Sequence, residues 1–208
     1  MPQLKIGVLI SGGGTNLQSI IDNINNGFID AKIDVVISNK KSAYGLERAK
    51  SNGIDAIYVN PNNYKGSEEY NQIIISELQD RNIDLIVLAG YLKILSMDFV
   101  RTFENKIINI HPSLIPSFCG RGYYGIKVHE EVIKYGVKVT GATVHFVDDG
   151  ADTGPIILQD IVFVDNNDTP LSLQLKVLNI EHKILPLAIK LFCENKLVLE
   201  DRRVIIKN

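Results

Sequence analysis

The chain has 208 residues, 45% of them apolar, enough for a single core in one domain or one domain with a small elaboration. Its 22 Lys and Arg face 24 Asp and Glu, a formal net charge of -2 with no basic block, which argues against non-specific nucleic-acid binding. Cys119 and Cys193 make no disulfide framework and no stretch is apolar for long enough to span a bilayer, so the expectation is a cytoplasmic protein with reduced thiols and no membrane partner.

The opening Met1-Pro2-Gln3-Leu4-Lys5 lacks the charged-then-apolar pattern of a signal peptide and leads into Ile6 to Ile10, a short apolar run typical of a strand buried on both faces. After a glycine-rich turn, Leu17, Ile20, Ile21 and Ile24 form one helical stripe, which Gly27 can close in the left-handed conformation. Ile33 to Ile37 reads as the second strand, a helix with Leu46 and Ala49 ends near Gly53, and Ile54 to Val59 is the third strand. Ser67 is the expected N-cap of a helix whose buried face is Tyr70, Ile73, Ile74 and Leu78. Leu85 to Leu88 is the fourth strand, Ser96 caps a short helix with Phe99, Val100 and Phe103, and Ile107 to Ile110 is the fifth strand.

From residue 112 to 125 the chain is rich in Pro, Gly and Tyr without a period. A helix near Val128 to Tyr135 follows, then two longer strand-like runs at 138 to 147 and 156 to 164. Thr169-Pro170 opens a long helix with the stripe Leu171, Leu175, Leu178, His182, Leu185, Ile189 and Phe192, which Pro186 should kink. The βαβ series predicts an α/β fold built on a doubly wound, mainly parallel, Rossmann-like sheet, with a C-terminal antiparallel strand pair and a long closing helix.

Ser11-Gly12-Gly13-Gly14-Thr15-Asn16 joins the first strand to the first helix. Glycines let a tight turn bring several N–H groups to an anion, and the helix N-terminus adds partial positive charge. A phosphate site is the expectation here; a tight turn without a ligand is the alternative. NAD does not fit. The third glycine of G-x-G-x-x-G is replaced by Leu17, and Ser38-Asn39-Lys40 stands where an acidic residue is required. A single phosphate monoester on a sugar suits the short loop better.

Asn109 and His111, two apart at the carboxyl end of a strand, can face one ligand together. An amide donor beside an imidazole suits acyl transfer, which needs donors for a developing oxyanion and a proton source; the alternative is a polar strand end satisfied by nearby backbone. A carboxylate from Asp148-Asp149-Gly150-Ala151-Asp152 could raise the His111 pKa, although Asp and Gly there also suit plain turn work. His145 shares a strand face with Thr143 and Gly141 and is a candidate to line the site; His129 reads as a surface helix residue and His182 as a core one. No His spacing suggests a metal, so none is expected.

The run Asn109-Ile110-His111-Pro112-Ser113-Leu114-Ile115-Pro116, followed by Gly141 to Gln159, resembles the folate-dependent formyltransferase family. Ser11 to Asn16 is similar to the branch that formylates phosphoribosylglycinamide, and Leu88-Ala89-Gly90-Tyr91 and Glu181-His182 extend the likeness over nearly the whole chain. The resemblance implies a single formyltransferase domain over residues 1 to 208, with a phosphate-binding half at 1 to 111 and the folate-site loops, strand pair and helix at 112 to 208. It implies a formyl transfer from 10-formyltetrahydrofolate to the amine of a phosphosugar in purine synthesis, by a monomer or homodimer.

By that resemblance His111 is the general acid toward the formyl oxygen, Asn109 polarises the carbonyl, and Asp152 keeps His111 charged. Gly14, Thr15 and Asn16 hold the phosphate and Glu181 the ribose. The folate lies against Leu92, Lys93, Ile94 and Leu95, together with Asn109, Asp148, Asp149 and Asp152. The family often has Arg at the positions of Lys93 and Ser67, so the partner of the folate tail is open, with Lys65 as a substitute. Phe118 to Tyr124 departs from the commonest family pattern and reads as part of a loop that closes over reactants, with Cys119 a bystander. The rivals are a formyltetrahydrofolate deformylase, which would use water instead of an amine, a methionyl-tRNA formyltransferase, expected to carry a further C-terminal domain, and a non-catalytic sugar-phosphate binder.

Overall fold

The structure, a computed structural model, describes residues 3–207; Met1 and Pro2 of the opening segment, and Asn208, lie outside the described residues. Two compact units divide the chain between Ile108 and Asn109. The first holds β1 (Leu4–Ile10), α1 (Thr15–Asn25), β2 (Ala31–Ser38), α2 (Tyr44–Ser51), β3 (Asp55–Tyr58), α3 (Ser67–Asp80), β4 (Leu85–Leu88) and α4 (Met97–Thr102). β5 (Ile107–His111) spans the division, and the second unit continues with α5 (Ile126–Tyr135), β6 (Val139–Phe146), β7 (Ile156–Phe163), α6 (Pro170–Cys193), β8 (Leu197–Glu200) and β9 (Arg203–Ile206).

Seven strands form one mixed sheet in the order β3-β2-β1-β4-β5-β6-β7. β1 pairs in parallel with β2 and β4, β2 with β3 likewise, and β6 with β7 antiparallel, so the mainly parallel sheet with a late antiparallel pair is as the sequence predicts. β1 lies between β2 and β4, which puts the reversal of strand order, and hence a natural ligand crevice, at its carboxyl end. The apolar runs are buried on both faces: Ile6, Val8, Leu9, Ile10, Leu85, Ile86 and Val87 have no exposed surface. Gly27, with φ 79, follows α1 as expected. The β8–β9 hairpin has no counterpart among the sequence expectations; its strands have four residues each, too short for a clear period.

Three local expectations need correction. Ser67 does not cap α3: Gly66 is the N-cap, and the carboxylate of Glu69 accepts the Lys65 backbone N–H at 2.7 Å. On that helix Ile73 is exposed and Ile75 buried, a shift of the inner face. In α6 the inner stripe is Leu173, Val177, Glu181, Ile184, Leu185, Ala188 and Ile189, while Leu171 and Leu175 are more than half exposed. Apolar residues alternate along Leu171-Ser172-Leu173-Gln174-Leu175-Lys176-Val177, so either set could start a helical stripe. The Thr169 hydroxyl accepts from the Ser172 N–H in a capping box, and α6 runs on through Pro186.

Candidate active site

In the first unit, the glycine turn leaves β1 at the strand-order reversal. Gly14 is the N-cap of α1 in the left-handed conformation, φ 72 and ψ 33. It has no side chain with which to cap the helix, so the first-turn N–H groups are left to other acceptors. Thr15 is exposed at the first position of α1 and Asn16 is buried beside it. Ser11 ties three strand ends together: its N–H donates to Gly90 O at 3.1 Å, its hydroxyl to Asn39 Oδ1 at 2.6 Å, and it accepts the Leu92 N–H at 2.8 Å. Asn39, where a dinucleotide site needs an acid, is thus part of the frame of the turn. After β4, Leu92 and Ile94 are exposed at 47% and 64%, Lys93 is exposed and Leu95 half-buried. Lys65 and Ser67 are both exposed at the start of α3.

In the second unit, four side chains converge. Asn109 and His111 come from β5, His145 from β6, and Asp152 from the β6–β7 connection. His111 Nδ1 lies 3.5 Å from Asp152 Oδ2, and Asn109 Nδ2 donates to Asp152 Oδ1 at 3.3 Å. Asn109 Nδ2 also lies 3.1 Å from His145 Nε2, and His145 Nδ1 is 2.7 Å from Phe146 O. A carbonyl at Nδ1 requires the proton there, so Nε2 accepts from Asn109 in the neutral ring and presents an N–H to Asp152 Oδ1, 3.7 Å away, in the charged one. With His145 neutral, both Asn109 N–H bonds are directed at protein acceptors, and the 3.3 Å bond to Asp152 is the weaker one. A register shift between Val144 and His145 leaves Ile157 of β7 unpaired, a bulge opposite His145. Asp152 takes φ 58, a conformation Asp tolerates better than most residues, and its Oδ2 accepts the Gly120 N–H at 2.9 Å.

The segment after β5 is held by side chain–backbone bonds. Thr143 Oγ1 donates to Ser113 O at 2.6 Å and accepts the Ile115 N–H at 3.1 Å, while Gln159 Nε2 donates to Ile115 O at 3.0 Å. This anchoring brings the Phe118 carbonyl 2.9 Å from His111 Nε2. Cys119 donates to Pro116 O at 3.3 Å, and burial raises its thiol pKa, with the Asp152 charge adding to the effect.

The sequence predicts that a carboxylate at His111 acts to raise its pKa, and Asp152 has that effect. The Phe118 carbonyl acts the same way. Burial, the larger effect in a ring only 4% exposed, nevertheless takes the His111 pKa below its ordinary value. Burial alone would raise Asp152, but the contacts with His145, His111 and the Gly120 N–H outweigh it and hold the group below the usual carboxylate range.

The expectation that His129 lies at the surface is corrected. It is 1% exposed, because on α5 it shares the inner face with Val128 and Val132. Its Nδ1 has no hydrogen-bond partner among the described residues, and burial, helped by the charge of His111, pushes its pKa down to about 4. An unfolded histidine near 6.5 takes its proton first as pH falls, so the folded state loses stability between about pH 6.5 and 4. That loss reaches about 3 kcal/mol from His129, and His111 acts in the same direction. Urea denaturation at pH 7 and pH 4.5 should therefore show a smaller difference for His129→Gln than for the wild type; an equal difference would remove His129 as a source of acid lability.

Of the other predicted site residues, Asp148 and Asp149 lie in the β6–β7 connection and Glu181 in α6. Asp148 does turn work, accepting from Thr153 Oγ1 at 2.5 Å and from the Gly150 N–H at 3.1 Å, and Asp149 is exposed. Glu181 is buried on the inner stripe of α6. Among the described residues no group of three His, Cys, Asp or Glu is placed to hold a metal ion, and no helix is long and apolar enough to cross a membrane. Sequence reasoning missed the Ser11–Asn39 pair and the backbone groups of Phe118 and Gly120 that meet His111 and Asp152. Only Ser11, a polar residue ending a buried strand, carried a signal.

Known proteins resemble this chain over most of its length. The chain is 45% identical over 197 residues to a phosphoribosylglycinamide formyltransferase of Haemophilus influenzae, covering 95% of this chain and 91% of that protein. It is 39% identical over 198 residues to a chloroplastic phosphoribosylglycinamide formyltransferase of Vigna unguiculata, covering 93% of this chain but only 62% of the length of that relative. The solved structure of glycinamide ribonucleotide transformylase 1 from Symbiobacterium toebii superposes with a TM-score of 0.94 at 45% identity, over 99% of this chain and 95% of that one. The family model described as Formyl transferase matches residues 4–189, and the chain belongs to that family.

Proposed function

We propose that the protein transfers the formyl group of 10-formyltetrahydrofolate to the amine of phosphoribosylglycinamide, a step of purine biosynthesis, as the names of its relatives describe for those proteins. The observation that carries this reading is the contact of Asp152 with both His111 and Asn109, an acid, an imidazole and an amide in one cluster. The folate supplies the formyl carbon that the neutral amine attacks. Asn109 offers the hydrogen now shared loosely with Asp152 to the oxygen on which charge develops. His111, protonated, donates at Nε2 once the Phe118 carbonyl gives way; a pKa below the ordinary value makes the imidazolium a stronger acid. Asp152 stays ionised and stabilises that imidazolium; when the tetrahedral intermediate collapses, the bond from the formyl carbon to the folate nitrogen breaks, that nitrogen takes the proton of His111, and His111 regains a proton from the attacking amine.

Gly14, Thr15 and Asn16 grip the substrate phosphate, and Glu181 grips the ribose. Leu92 and Ile94 give the folate ring an exposed apolar surface, with Lys93, Leu95, Asp148 and Asp149 as its further contacts, and the donors present suit a folate without a metal or NAD. Lys65 and Ser67 are the candidates for the folate tail, and His145 supports Asn109. The whole chain acts as one formyltransferase domain, cytoplasmic, monomeric or homodimeric, with no nucleic-acid or membrane partner. Absorbance of the released folate tests the reading. Release that requires the amine is expected; equal release without it indicates a deformylase, and no release in either case indicates a non-catalytic binder.

A further inference from the structure

Each carbonyl of the three glycines in the turn has a donor. Gly14 O accepts the Gln18 N–H at 2.9 Å, within the first turn of α1. The other two are held by α2: Gly12 O accepts the Gly45 N–H at 3.1 Å, and Gly13 O accepts Arg48 Nε–H at 2.9 Å. An anion site made of backbone needs its N–H groups converging and its carbonyls turned away, since a carbonyl facing a phosphate repels it. Arg48 is itself fixed. Its Nη1 donates to Gln18 Oε1 at 3.1 Å, and its guanidinium carbon lies 5.1 Å from the centroid of the Tyr44 ring. Below it the two backbones touch. A Cβ on Gly45 would crowd Ile10 Cδ1 and stand 3.2 Å from Gly14 Cα, while a Cβ on Gly14 would stand 2.7 Å from Gly45 Cα.

We propose that Arg48, seated over the Gly45–Gly14 contact, is a positioning residue that sets the anion-binding shape of the glycine turn and so fixes the preference for a phosphorylated substrate. The proposal rests on reading that turn as the phosphate site. Arg48 acts by holding Gly13 O and by adding a positive charge to the turn, without touching the substrate.

The test compares wild type, Arg48→Ala and Arg48→Lys with phosphoribosylglycinamide and with its dephosphorylated form. For Arg48→Ala the KM of the phosphorylated amine should rise about tenfold, while kcat and the KM of the formyl donor move much less. Its kcat/KM for the dephosphorylated amine should hold, so the preference for phosphate narrows by about the same factor. Arg48→Lys should recover part of the preference, because an ammonium can hold the Gly13 carbonyl but not both acceptors. A preserved preference in Arg48→Ala overturns the proposal. So does a parallel loss of kcat, both KM values and thermal stability, which marks a merely structural residue. If the wild type itself does not distinguish the two amines, the phosphate reading of the turn fails and takes this proposal with it.

Discussion

Asp152→Asn should fold normally and lose about a hundred- to ten-thousandfold in turnover, the range of a positioned acid–base group. The carboxylate is the only formal negative charge in the cluster of Asn109, His111, His145 and Asp152, and it lies 3.5 Å from His111 Nδ1. Burial already works against a charged His111, and Asp152 is the largest influence opposing it. Its neutral amide replacement keeps acceptor capacity for the Gly120 N–H, now bonded to Oδ2 at 2.9 Å, so the turn has reason to persist. The charge is what disappears. His111 should then titrate still lower, and at neutral pH fewer molecules carry the imidazolium. The measurements are kcat at saturating substrates and the His111 titration followed by NMR, with the urea midpoint as the check on folding. Near-wild-type turnover with an unmoved titration would dismiss the carboxylate from the chemistry.

Gly14→Ala should damage both the turn and the first unit around it. The position has φ 72, where an L side chain costs roughly 1–2 kcal/mol. The new methyl would also stand 2.7 Å from Gly45 Cα and 3.4 Å from Gly45 N. These are backbone atoms that cannot rotate away, so α2 must shift, at a cost of about 1–3 kcal/mol. Together the two effects predict a loss of about 2–5 kcal/mol in urea denaturation. In the fraction that folds, the KM for the phosphorylated amine should rise more than about tenfold, the worth of one hydrogen bond to a charged group. Gly13→Ala is the companion: a Cβ there meets nothing within 4 Å, so its stability should stay within about 0.5 kcal/mol of wild type. Equal destabilisation in the two variants would show that the Gly14–Gly45 contact carries no special strain.

The fold was legible where burial was complete. Leu85 to Leu88 reads as a buried strand because every side chain is apolar, and all four are buried. The βαβ succession then dictated a parallel sheet. Legibility failed where a pattern admitted two phases, as with the alternating apolar residues at the start of α6, and where backbone did the work of a side chain, as at Gly66. His129 misleads because Glu130 and Glu131 beside it suggest a solvated face, although its position between Val128 and Val132 puts it on the inner one. Asn109 and His111 were legible as a pair because strand geometry fixes which residues share a side. The meeting of His111 with the Phe118 carbonyl was not, since no side chain records where a main-chain oxygen will point.

The fate of the formyl carbon is the most direct measurement. With 13C in the formyl group of 10-formyltetrahydrofolate, the chain and phosphoribosylglycinamide should give a new amide carbon signal on the sugar phosphate, with little labelled formate. Label that collects as formate at the same rate with or without the amine, or that never leaves the folate, would contradict the assignment of Asn109, His111 and Asp152 to formyl transfer.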